Sequence, residues 1–582
     1  MSWVGDVPLF GNVGLTRRGF FSAIALAPLA SPRGFAAAAP QPYISLADFG
    51  LSPGDAGKAD AESAFRAALT RLPKSGGVIS VPPGRWSFAR TEGVAIPIGD
   101  RANVTIEGHG ATLLFRGAAR PFAFRNCVSP ILRGLTIDWL RPPFSQGEVI
   151  AVTSDRRSVD IRIQAAFPVD GSEQVVALQT MEPKTGLTAL HGVDAFNAFS
   201  QVRLVREQVL RIALTRPLAL KPGDFVVLRH QIHLPGLLHF VRCTNLLVED
   251  VALRCGAGMG VVAEGCDGAQ LRRMNIAPPP QSANVMTLTH DGAHFAACRG
   301  AINLDDCHME GMGDDGVNVH ANYHVVTERI DKRTLKVSAP RSSIYSASSA
   351  APSGDCFQIL GPRYDKIVEA VVDSVKTGPD EAILRFRTDL PVGISVGDLT
   401  LDAEAQSVAK ISNCRFHGNR GRGVLTHVNT VIAGCSFAGQ SGPVILLSVE
   451  PFFREAPTIE NILFRDNDVS DPCRVFGAGA IVVEAKIAGG ADDYLKVNRN
   501  VAIVENRFAD IRGPVVAASS IAGLSITRNR LTNGANPAVV LNYTNAVKIE
   551  GNIATPPGEF GVAQLSAPEE PRIKNNDRPN QR

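Results

Sequence analysis

A short repeat near the C-terminal end of the chain constrains the fold most strongly. Asn506, Asn529 and Asn552 occupy the same slot in the segments ENRF, RNRL and GNIA, 23 residues apart each time. Cys414 and Cys435 occupy that slot in NCRF and GCSF, 21 residues apart. A repeat of this length predicts a solenoid whose turns each contribute short strands to long parallel sheets, with stacked asparagines bonded along its axis. The fixed period argues against a sandwich or a closed barrel.

Residues 45–88 indicate how the first turn is closed. Residues 61–72 form an amphipathic helical pattern, and residues 78–81 follow as a strand. A helix at this place would cover the open edge of the first turn. The segment resembles the N-terminal cap of right-handed parallel β-helix enzymes of the polygalacturonase-like group.

Two stretches interrupt the period, residues 146–230 and 322–400. Their apolar runs and their PGD and VGD turns are typical of antiparallel β-structure. We interpret them as insertions from one side of the solenoid that pack together as a small β-barrel-like domain, which could wall a cleft. The predicted fold class is all-β: a right-handed parallel β-helix with an inserted antiparallel β-barrel-like domain and a short N-terminal capping helix. The predicted domains are a twin-arginine signal peptide (1–39), the cap and first turns (40–145), the first part of the inserted domain (146–230), catalytic turns (231–321), the second part of the inserted domain (322–400), C-terminal turns (401–565) and a polar tail (566–582).

The N-terminal segment has the pattern of a twin-arginine signal peptide. Arg17 and Arg18 precede an apolar run over 21–30 and a small-residue region over 36–39. The apolar run is too short to cross a bilayer. The expected location is therefore periplasmic or secreted, with no membrane span.

Composition excludes several kinds of partner and cofactor. The net charge of +3 is near balance and no long basic block occurs, which argues against nucleic acid. The ten cysteines include no CxxC pair with metal-site spacing. Several recur at equivalent places of the repeat, so we expect small buried side chains in stacked turns. No cofactor and no metal are expected.

Three acidic residues are the candidate catalytic groups. Asp314 and Asp315 are followed by Gly316, which allows a sharp backbone turn that exposes both side chains. Asp291 lies 23 residues before Asp314, so the two would stack about 4.8 Å apart at the backbone if one turn separates them. Three carboxylates this close cannot all ionise freely, and at least one pKa should rise.

Cleavage of a glycosidic bond requires one protonated and one ionised carboxyl group. The first protonates the leaving oxygen, and the second activates water or attacks the anomeric carbon. Side-chain spread could separate the pair by roughly 5 Å, as in retaining enzymes, or by roughly 6.5–9.5 Å, as in inverting ones, so the spacing leaves both outcomes open.

Other polar residues surround the acids. A plain acidic turn or a calcium loop would also contain an Asp-Asp-Gly motif, but histidines are poor calcium ligands and the alternating acids of a calcium loop are absent. We interpret the neighbouring side chains as donors to sugar hydroxyl groups. Arg422, in the RGRG segment, could equally belong to a solvated turn. Glu450, which follows an apolar strand, could equally be a solvated strand end. The predicted substrate-binding residues are His290, His294, Asn318, His320, Arg422 and Glu450.

The segments that carry these residues resemble glycoside hydrolase family 110, the inverting α-1,3-galactosidases. The resemblance is carried by residues 256–276 and 289–323, which include DDGVNVH, and by LTIDWLRPPFSQGEV (135–149) and NCRFHGNRGRGVL (413–425) in the same order. It extends over most of 45–555.

This resemblance implies metal-independent, inverting hydrolysis of terminal α-1,3-linked galactose on a parallel β-helix with an inserted β-barrel. It implies an oligo- or polysaccharide substrate with terminal α-galactose. It places the catalytic carboxylates at Asp314 and Asp315 with Asp291 close by, and leaves open which is acid and which is base. Gly313, where the family more often has a bulkier residue, and the loosely similar segment 450–456 are departures that bear on sugar specificity.

Two other classes of protein fit part of the pattern. A polysaccharide lyase or epimerase acting on a uronate polymer would need a basic residue at the acidic cluster, and commonly calcium. A non-catalytic β-helix adhesin or carbohydrate-binding protein would have no need for the carboxylates.

Overall fold

The computed structural model describes residues 41–51, 60–232, 234–338, 353–378, 380–449, 452–455, 459–486, 497–555, 560–566, 570–574 and 576. From Pro42 onwards the chain forms one compact unit. The predicted signal peptide lies outside the described residues. Within the described part of the chain, no helix is long and apolar enough to cross a membrane.

Most strands belong to a parallel β-helix of 34 strands, which confirms the predicted fold. They are β1 (Tyr43–Ser45), β2 (Gly77–Ser80), β3 (Arg85–Ser87), β4 (Glu92–Gly99), β5 (Val104–Phe115), β6 (Ala118–Arg125), β7 (Ile131–Trp139), β16 (Leu238–Val241), β17 (Thr244–Glu249), β18 (Ala252–Leu253), β19 (Val261–Glu264), β20 (Asp267–Arg272), β21 (Asn275–Ile276), β22 (Ala293–Ala296), β23 (Arg299–Asp305), β24 (His308–Glu310), β25 (Val317–His320), β32 (Val408–Ser412), β33 (Arg415–His417), β34 (Val424–Thr426), β35 (Asn429–Ala433), β36 (Ser436–Ala438), β37 (Ile445–Ser448), β38 (Ile459–Arg465), β39 (Asp468–Ser470), β40 (Ile481–Glu484), β41 (Asn498–Val504), β42 (Arg507–Ile511), β43 (Val516–Thr527), β44 (Arg530–Gly534), β45 (Val539–Glu550), β46 (Ile553–Thr555), β47 (Val562–Ser566) and β48 (Arg572–Lys574).

Each complete turn supplies three strands, and equivalent residues of successive turns lie on top of one another. For example, β19, β20 and β21 form one turn, and β22 then pairs with β19 with Ala293 beside Val261. Because side chains of a strand alternate between faces, every second residue points inward and stacks on its equivalent. One such fully buried column consists of Ile411, Ile432, Phe464, Ile503, Ile526 and Ile549.

The predicted asparagine slot forms a continuous hydrogen-bonded ladder. Asn506 donates from its backbone N–H to Oδ1 of Asn529 at 3.0 Å, and Asn529 donates to Oδ1 of Asn552 at 2.9 Å. The ladder extends to Asn467 and joins the cysteine slot, since the backbone N–H of Cys435 donates to Oδ1 of Asn467 at 2.8 Å. The side chains thus satisfy backbone donors at a turn where no strand partner is available.

Replacing Asn529 by alanine is expected to lower the free energy of unfolding by about 1–3 kcal/mol. The Asn529 side chain is fully buried and accepts from both the backbone and the side-chain nitrogen of Asn506. Its loss leaves these donors buried without a partner. Denaturant unfolding measures the effect, with Thr532→Ala as the control because the side chain of Thr532 is exposed on the same part of the solenoid. Equal midpoints for the two variants would contradict a stabilising ladder.

All ten cysteines are free thiols, eight of them buried. The backbone N–H of Cys243 donates to Sγ of Cys266 at 3.4 Å, and that of Cys414 donates to Sγ of Cys435 at 3.4 Å. The expectation of buried side chains in stacked turns is thereby confirmed.

The predicted capping helix is present as α1 (Ala61–Arg71), with a short 3-10 helix before it (Leu46–Phe49). Asp60 caps its first turn by accepting from the backbone N–H of Glu62 at 3.0 Å. Phe65 is fully buried and packs against Phe88 and Phe122 of the first turns, at ring-centroid distances of 5.9 and 6.1 Å. The helix therefore closes the first turn by burying its apolar face on it.

The two insertions form separate sheets. They do not share one barrel as expected, because the second insertion alone closes into a barrel. The first is an eight-stranded antiparallel sheet between β7 and β16, and the second is a closed antiparallel barrel between β25 and β32. The first contains β8 (Phe144–Val152), β9 (Ser158–Ile163), β10 (Ala177–Glu182), β11 (Leu187–Thr188), β12 (Asp194–Phe196), β13 (Phe199–Arg206), β14 (Val209–Leu214) and β15 (Phe225–Arg229). The barrel contains β26 (Tyr323–Arg329), β27 (Thr334–Ser338), β28 (Cys356–Leu360), β29 (Lys366–Thr377), β30 (Glu381–Phe386) and β31 (Leu399–Asp402).

Candidate active site

The acidic residues lie at the start of two adjacent strands of one sheet, β22 and β25. Ala293 pairs with Val317, so the residue stacked beside Asp291 is Asp315. The predicted stacking of Asp291 on Asp314 is therefore wrong by one residue, because this turn has one residue more than the 23-residue repeat. The backbone N–H of Asp315 donates to Oδ1 of Asp291 at 3.0 Å.

Asp291 is a buried anion held by three donors. Nδ1 of His290 lies 3.0 Å from Oδ1, Nδ1 of His294 lies 2.7 Å from Oδ2, and the Asp315 N–H provides the third contact. Burial alone would raise the pKa of Asp291, but the charge and hydrogen bond of His290 and the bond from His294 hold this pKa below its ordinary value. The same pairing raises the pKa of His290 against the opposing effect of burial. Asp291 therefore anchors the cluster as a carboxylate.

The pKa of Asp315 is shifted in the opposite direction, upwards. Burial raises the pKa of Asp315 to about 7, and the neighbouring charges of Asp314 and Asp291 add to this effect. The contacts with Arg422 oppose it: the backbone N–H of Arg422 donates to Oδ1 at 2.7 Å, and its guanidinium Nη1 lies 3.4 Å from Oδ2. Asp315 thus retains a proton close to neutral pH.

Asp314 is the more accessible member of the pair, with 23% of its side chain exposed against 4% for Asp315. Its Oδ1 accepts from Nη1 of Arg420 at 3.0 Å. Both carboxylates converge on the backbone of Gly421, where an added Cβ would collide with Oδ1 of Asp315 and lie 2.7 Å from Oδ1 of Asp314. Only glycine leaves room for the pair here.

The predicted histidines and Asn318 lie together behind the acids. Nε2 of His294 and Nε2 of His320 are 2.8 Å apart, and Nδ2 of Asn318 donates to Oε1 of Glu455 at 3.4 Å. All four side chains are buried. Arg422 lies beside Asp315, as described, whereas the predicted Glu450 lies outside the described residues. The structure therefore brings every described candidate into one cluster.

Two groups in this cluster have metal-ligating atoms within 4.8 Å of one another: His294, His320 and Glu455, and His290, Asp291 and Asp314. In each group, two members also lie within hydrogen-bond distance of each other: Nδ1 of His290 and Oδ1 of Asp291 in one, and the Nε2 atoms of His294 and His320 in the other. Nitrogen atoms of these histidines are thus bonded to Asp291 or to one another.

Sequence reasoning missed the contribution of the first insertion. Arg229, at the end of β15, is 1% exposed, and its Nη1 donates to the carbonyl oxygens of Gly313 at 2.6 Å and Thr289 at 3.2 Å. These residues directly precede Asp314 and His290. Arg229 therefore ties the two acidic turns together. The sequence offers no signal for this contact, because 60 and 84 residues separate the partners.

The same insertion also fixes Asp314. Arg420 bridges Asp314 and Asp194, lying 3.0 Å from Oδ1 of the first and 2.9 Å from Oδ2 of the second. The ring of Phe196 contacts two guanidinium groups, those of Arg229 at 4.7 Å and Arg420 at 4.5 Å from its centroid. The RGRG motif marks Arg420 in the sequence, but nothing in the sequence indicates that Asp194 and Phe196 orient it.

Comparison with known proteins gives similarities in fold and in sequence. A family model described as "Right handed beta helix region" matches residues 401–577. Alpha-1,3-galactosidase A of Shewanella woodyi is 26% identical over 535 residues, which cover 85% of this chain and 86% of the relative. Alpha-1,3-galactosidase A of Bacteroides fragilis is 24% identical, covering 84% and 89%, and alpha-1,3-galactosidase B of Bacteroides thetaiotaomicron is 22% identical, covering 84% and 86%.

The fold and the family model define a class: the chain is a right-handed parallel β-helix protein, as predicted. Its similarity to proteins named alpha-1,3-galactosidase extends over most of its length and confirms the predicted resemblance.

Proposed function

We propose that this protein removes terminal α-1,3-linked galactose from an oligo- or polysaccharide by inverting, metal-independent hydrolysis. The observation that carries the proposal is the acidic pair Asp314 and Asp315, of which one member retains its proton near neutral pH. The names of the relatives supply the sugar and the linkage. Inversion is proposed from the resemblance to family 110 and not from the spacing, because oxygens of the two carboxyl groups meet beside Gly421 and lie within about 5 Å of each other, closer than the roughly 6.5–9.5 Å usual for inverting enzymes.

In the proposed reaction Asp315 is the general acid and Asp314 the general base. Asp315 donates its proton to the glycosidic oxygen as the bond from that oxygen to the anomeric carbon breaks. Asp314, the exposed member, takes a proton from a water molecule that attacks the opposite face of the sugar. The products are β-galactose and the shortened glycan with a free hydroxyl group.

The remaining groups have supporting roles in this proposal. His290, His294 and His320 keep Asp291 ionised and in place through their hydrogen bonds. Asn318 is suited to bind a sugar hydroxyl, since its Oδ1 is buried and has no hydrogen-bond partner among the described residues. Arg422 contacts Asp315, the general acid, and binds the hydroxyl groups of the sugar next to it.

The test is incubation with galactose-α-1,3-galactose in the presence of EDTA, with the released anomer followed by NMR. Immediate appearance of β-galactose is the expected result. Release of α-galactose would overturn inversion, and loss of activity with EDTA that a divalent cation restores would overturn metal independence. An ultraviolet-absorbing unsaturated product from a uronate polymer would indicate the lyase alternative.

The rate of hydrolysis is expected to fall as the pH rises through about 7, because Asp315 then loses the proton that it must donate. The Arg422 guanidinium lowers the pKa of Asp315. Its removal in Arg422→Gln should therefore move the alkaline limb of kcat/KM to higher pH, whatever the loss in absolute rate. A limb that stays in place in this variant would contradict the assignment.

We also propose export through the twin-arginine pathway. The expected result is that the protein accumulates outside the cytoplasm of a bacterial host and that Arg17→Lys with Arg18→Lys retains it inside. Equal export of both forms would contradict this pathway.

A further inference from the structure

An aromatic side chain, Phe476, is held in a fixed place two turns along the β-helix from the acidic pair. Phe476 precedes β40, and its ring packs on the backbone of Gly442, which precedes β37. A Cβ added at Gly442 would lie 2.5 Å from this ring and 3.1 Å from the carbonyl oxygen of Gly421, the residue on which both carboxylates converge. The backbone N–H groups of Val475 and Phe476 donate to the carbonyl oxygen of Ser441 at 2.9 and 3.0 Å. The ring position is therefore fixed by the backbone around it.

Phe476 keeps part of its surface exposed. It is half-buried, and among the described residues it packs against none of the hydrophobic core clusters. In contrast, Phe416, Phe437 and Phe464 are buried and stack on one another inside the β-helix. Phe476 thus lies outside the core, with ring surface that a ligand can cover.

A continuous strip of partly exposed side chains joins this ring to the acids. The guanidinium carbon of Arg420 lies 5.8 Å from the Phe476 ring centroid, and Nη1 of Arg420 lies 3.0 Å from Oδ1 of Asp314. With the bond lengths of the guanidinium, the ring centre is within about 10 Å of that carboxylate oxygen. The side chains of Asp314 and Arg420 are 23% and 18% exposed. A disaccharide can span this distance along the protein surface.

The opposite side of the acidic pair is closed. Among the described residues on that side, Asp291, His290 and Arg229 are all buried. They leave no surface on which a second sugar could lie. A galactose whose anomeric carbon is at Asp314 and Asp315 therefore extends its glycan along the exposed strip.

We propose that Phe476 is the surface on which the leaving sugar packs, the hexose to which the terminal galactose is attached. One face of a hexose ring carries C–H bonds whose hydrogens are slightly positive, and the face of an aromatic ring is negative. The proposal rests on the proposed function and extends it from the galactose to the leaving sugar. Packing on a fixed ring places the glycosidic oxygen beside the proton of Asp315. Phe476 takes no part in proton transfer and determines which substrates bind.

Kinetics on two substrates test the proposal. Galactose-α-1,3-galactose has a leaving sugar, whereas α-galactosyl fluoride has the same galactose and releases only fluoride. We expect Phe476→Ala to raise KM for the disaccharide by about tenfold, as the loss of one aromatic contact would, and to leave KM for the fluoride unchanged. Phe476→Tyr, which keeps the ring, should retain the wild-type KM for both.

Phe199→Ala is the matched control for these kinetics. Phe199 is also half-buried, and it lies on β13, at the far edge of the first insertion from the strands that contact the acids. This variant should leave KM for both substrates unchanged. Equal changes for both substrates in Phe476→Ala, or no change for either, would overturn the proposal.

Direct binding separates this proposal from the proposed function. An analogue of galactose-α-1,3-galactose with sulfur in place of the glycosidic oxygen resists hydrolysis and can be followed by saturation-transfer NMR. When the aromatic protons of the protein are saturated, we expect transfer to the ring hydrogens of the leaving sugar in the wild type, Phe476→Tyr and Phe199→Ala, and its loss in Phe476→Ala. This result would support the contact even if no galactose were released from any substrate. Equal transfer in all four proteins, transfer to the galactose ring alone, or transfer in none would contradict it.

Discussion

Replacing Asp315 by asparagine is expected to lower kcat/KM on galactose-α-1,3-galactose by about 10²- to 10⁴-fold, the usual contribution of a general acid. Asparagine has nearly the same shape and can keep the contact with the backbone N–H of Arg422, but it has no proton to donate. A dinitrophenyl galactoside, whose leaving group needs no protonation, should lose far less activity. Parallel kinetics on the two substrates measure the difference.

The controls for this prediction are two other aspartates. Asp314→Asn removes the proposed base and should reduce hydrolysis of both substrates by similar factors, with azide restoring part of the rate. Asp306→Asn changes an exposed residue of a neighbouring turn and should have no effect. Should Asp315→Asn lose activity equally on both substrates, Asp315 would not be the acid.

The replacement Arg229→Lys is expected to lower kcat by about 10²-fold with little change in KM, because a displacement of catalytic groups by about 1 Å can cost that much. A lysine cannot hold both of the carbonyl oxygens to which Arg229 donates. The turns that carry Asp291 and Asp314 would therefore separate. Arg229 contacts no substrate in the proposed reaction and acts as a positioning residue.

Arg101→Lys is the matched control for Arg229. Arg101 also donates to carbonyl oxygens, those of Leu69 and Leu72 at the end of the capping helix, far along the chain from the acids. Both variants should unfold at lower denaturant concentration, but only Arg229→Lys should lose kcat at 25 °C. If both variants lost the same small amount of activity, the role of Arg229 would be purely structural.

The repeat was predictable because a residue in the same slot of each turn meets the same neighbours. Asn506 and Asn529 bond to the next member of their slot, and Cys414 and Cys435 occupy the equivalent place, so the period in the sequence reflects a contact in the fold. The position of the acidic cluster was predictable for the same reason. Its register was not, since one additional residue in a turn shifts the stacking from Asp314 to Asp315.

The contacts made by the insertions could not be inferred from the sequence. Asp194 begins β12 of the first insertion, whereas Arg420 lies between β33 and β34 of the β-helix, 226 residues away, and no periodicity connects them. Likewise, the antiparallel patterns predicted β-structure in both insertions, but not that one would remain an open sheet while the other closed. Closure depends on whether β31 reaches back to β26, which is a property of the folded barrel.

The buried cysteines allow local opening of the β-helix to be measured. Cys127, Cys243, Cys266, Cys298, Cys307, Cys414 and Cys435 are at most 2% exposed and are spread over six turns of the β-helix, with Cys298 and Cys307 on the same turn. An alkylating reagent can reach each sulfur only while that turn is open. The order in which these sites react, read by mass spectrometry under native conditions, would therefore report where along the axis the solenoid begins to unwind.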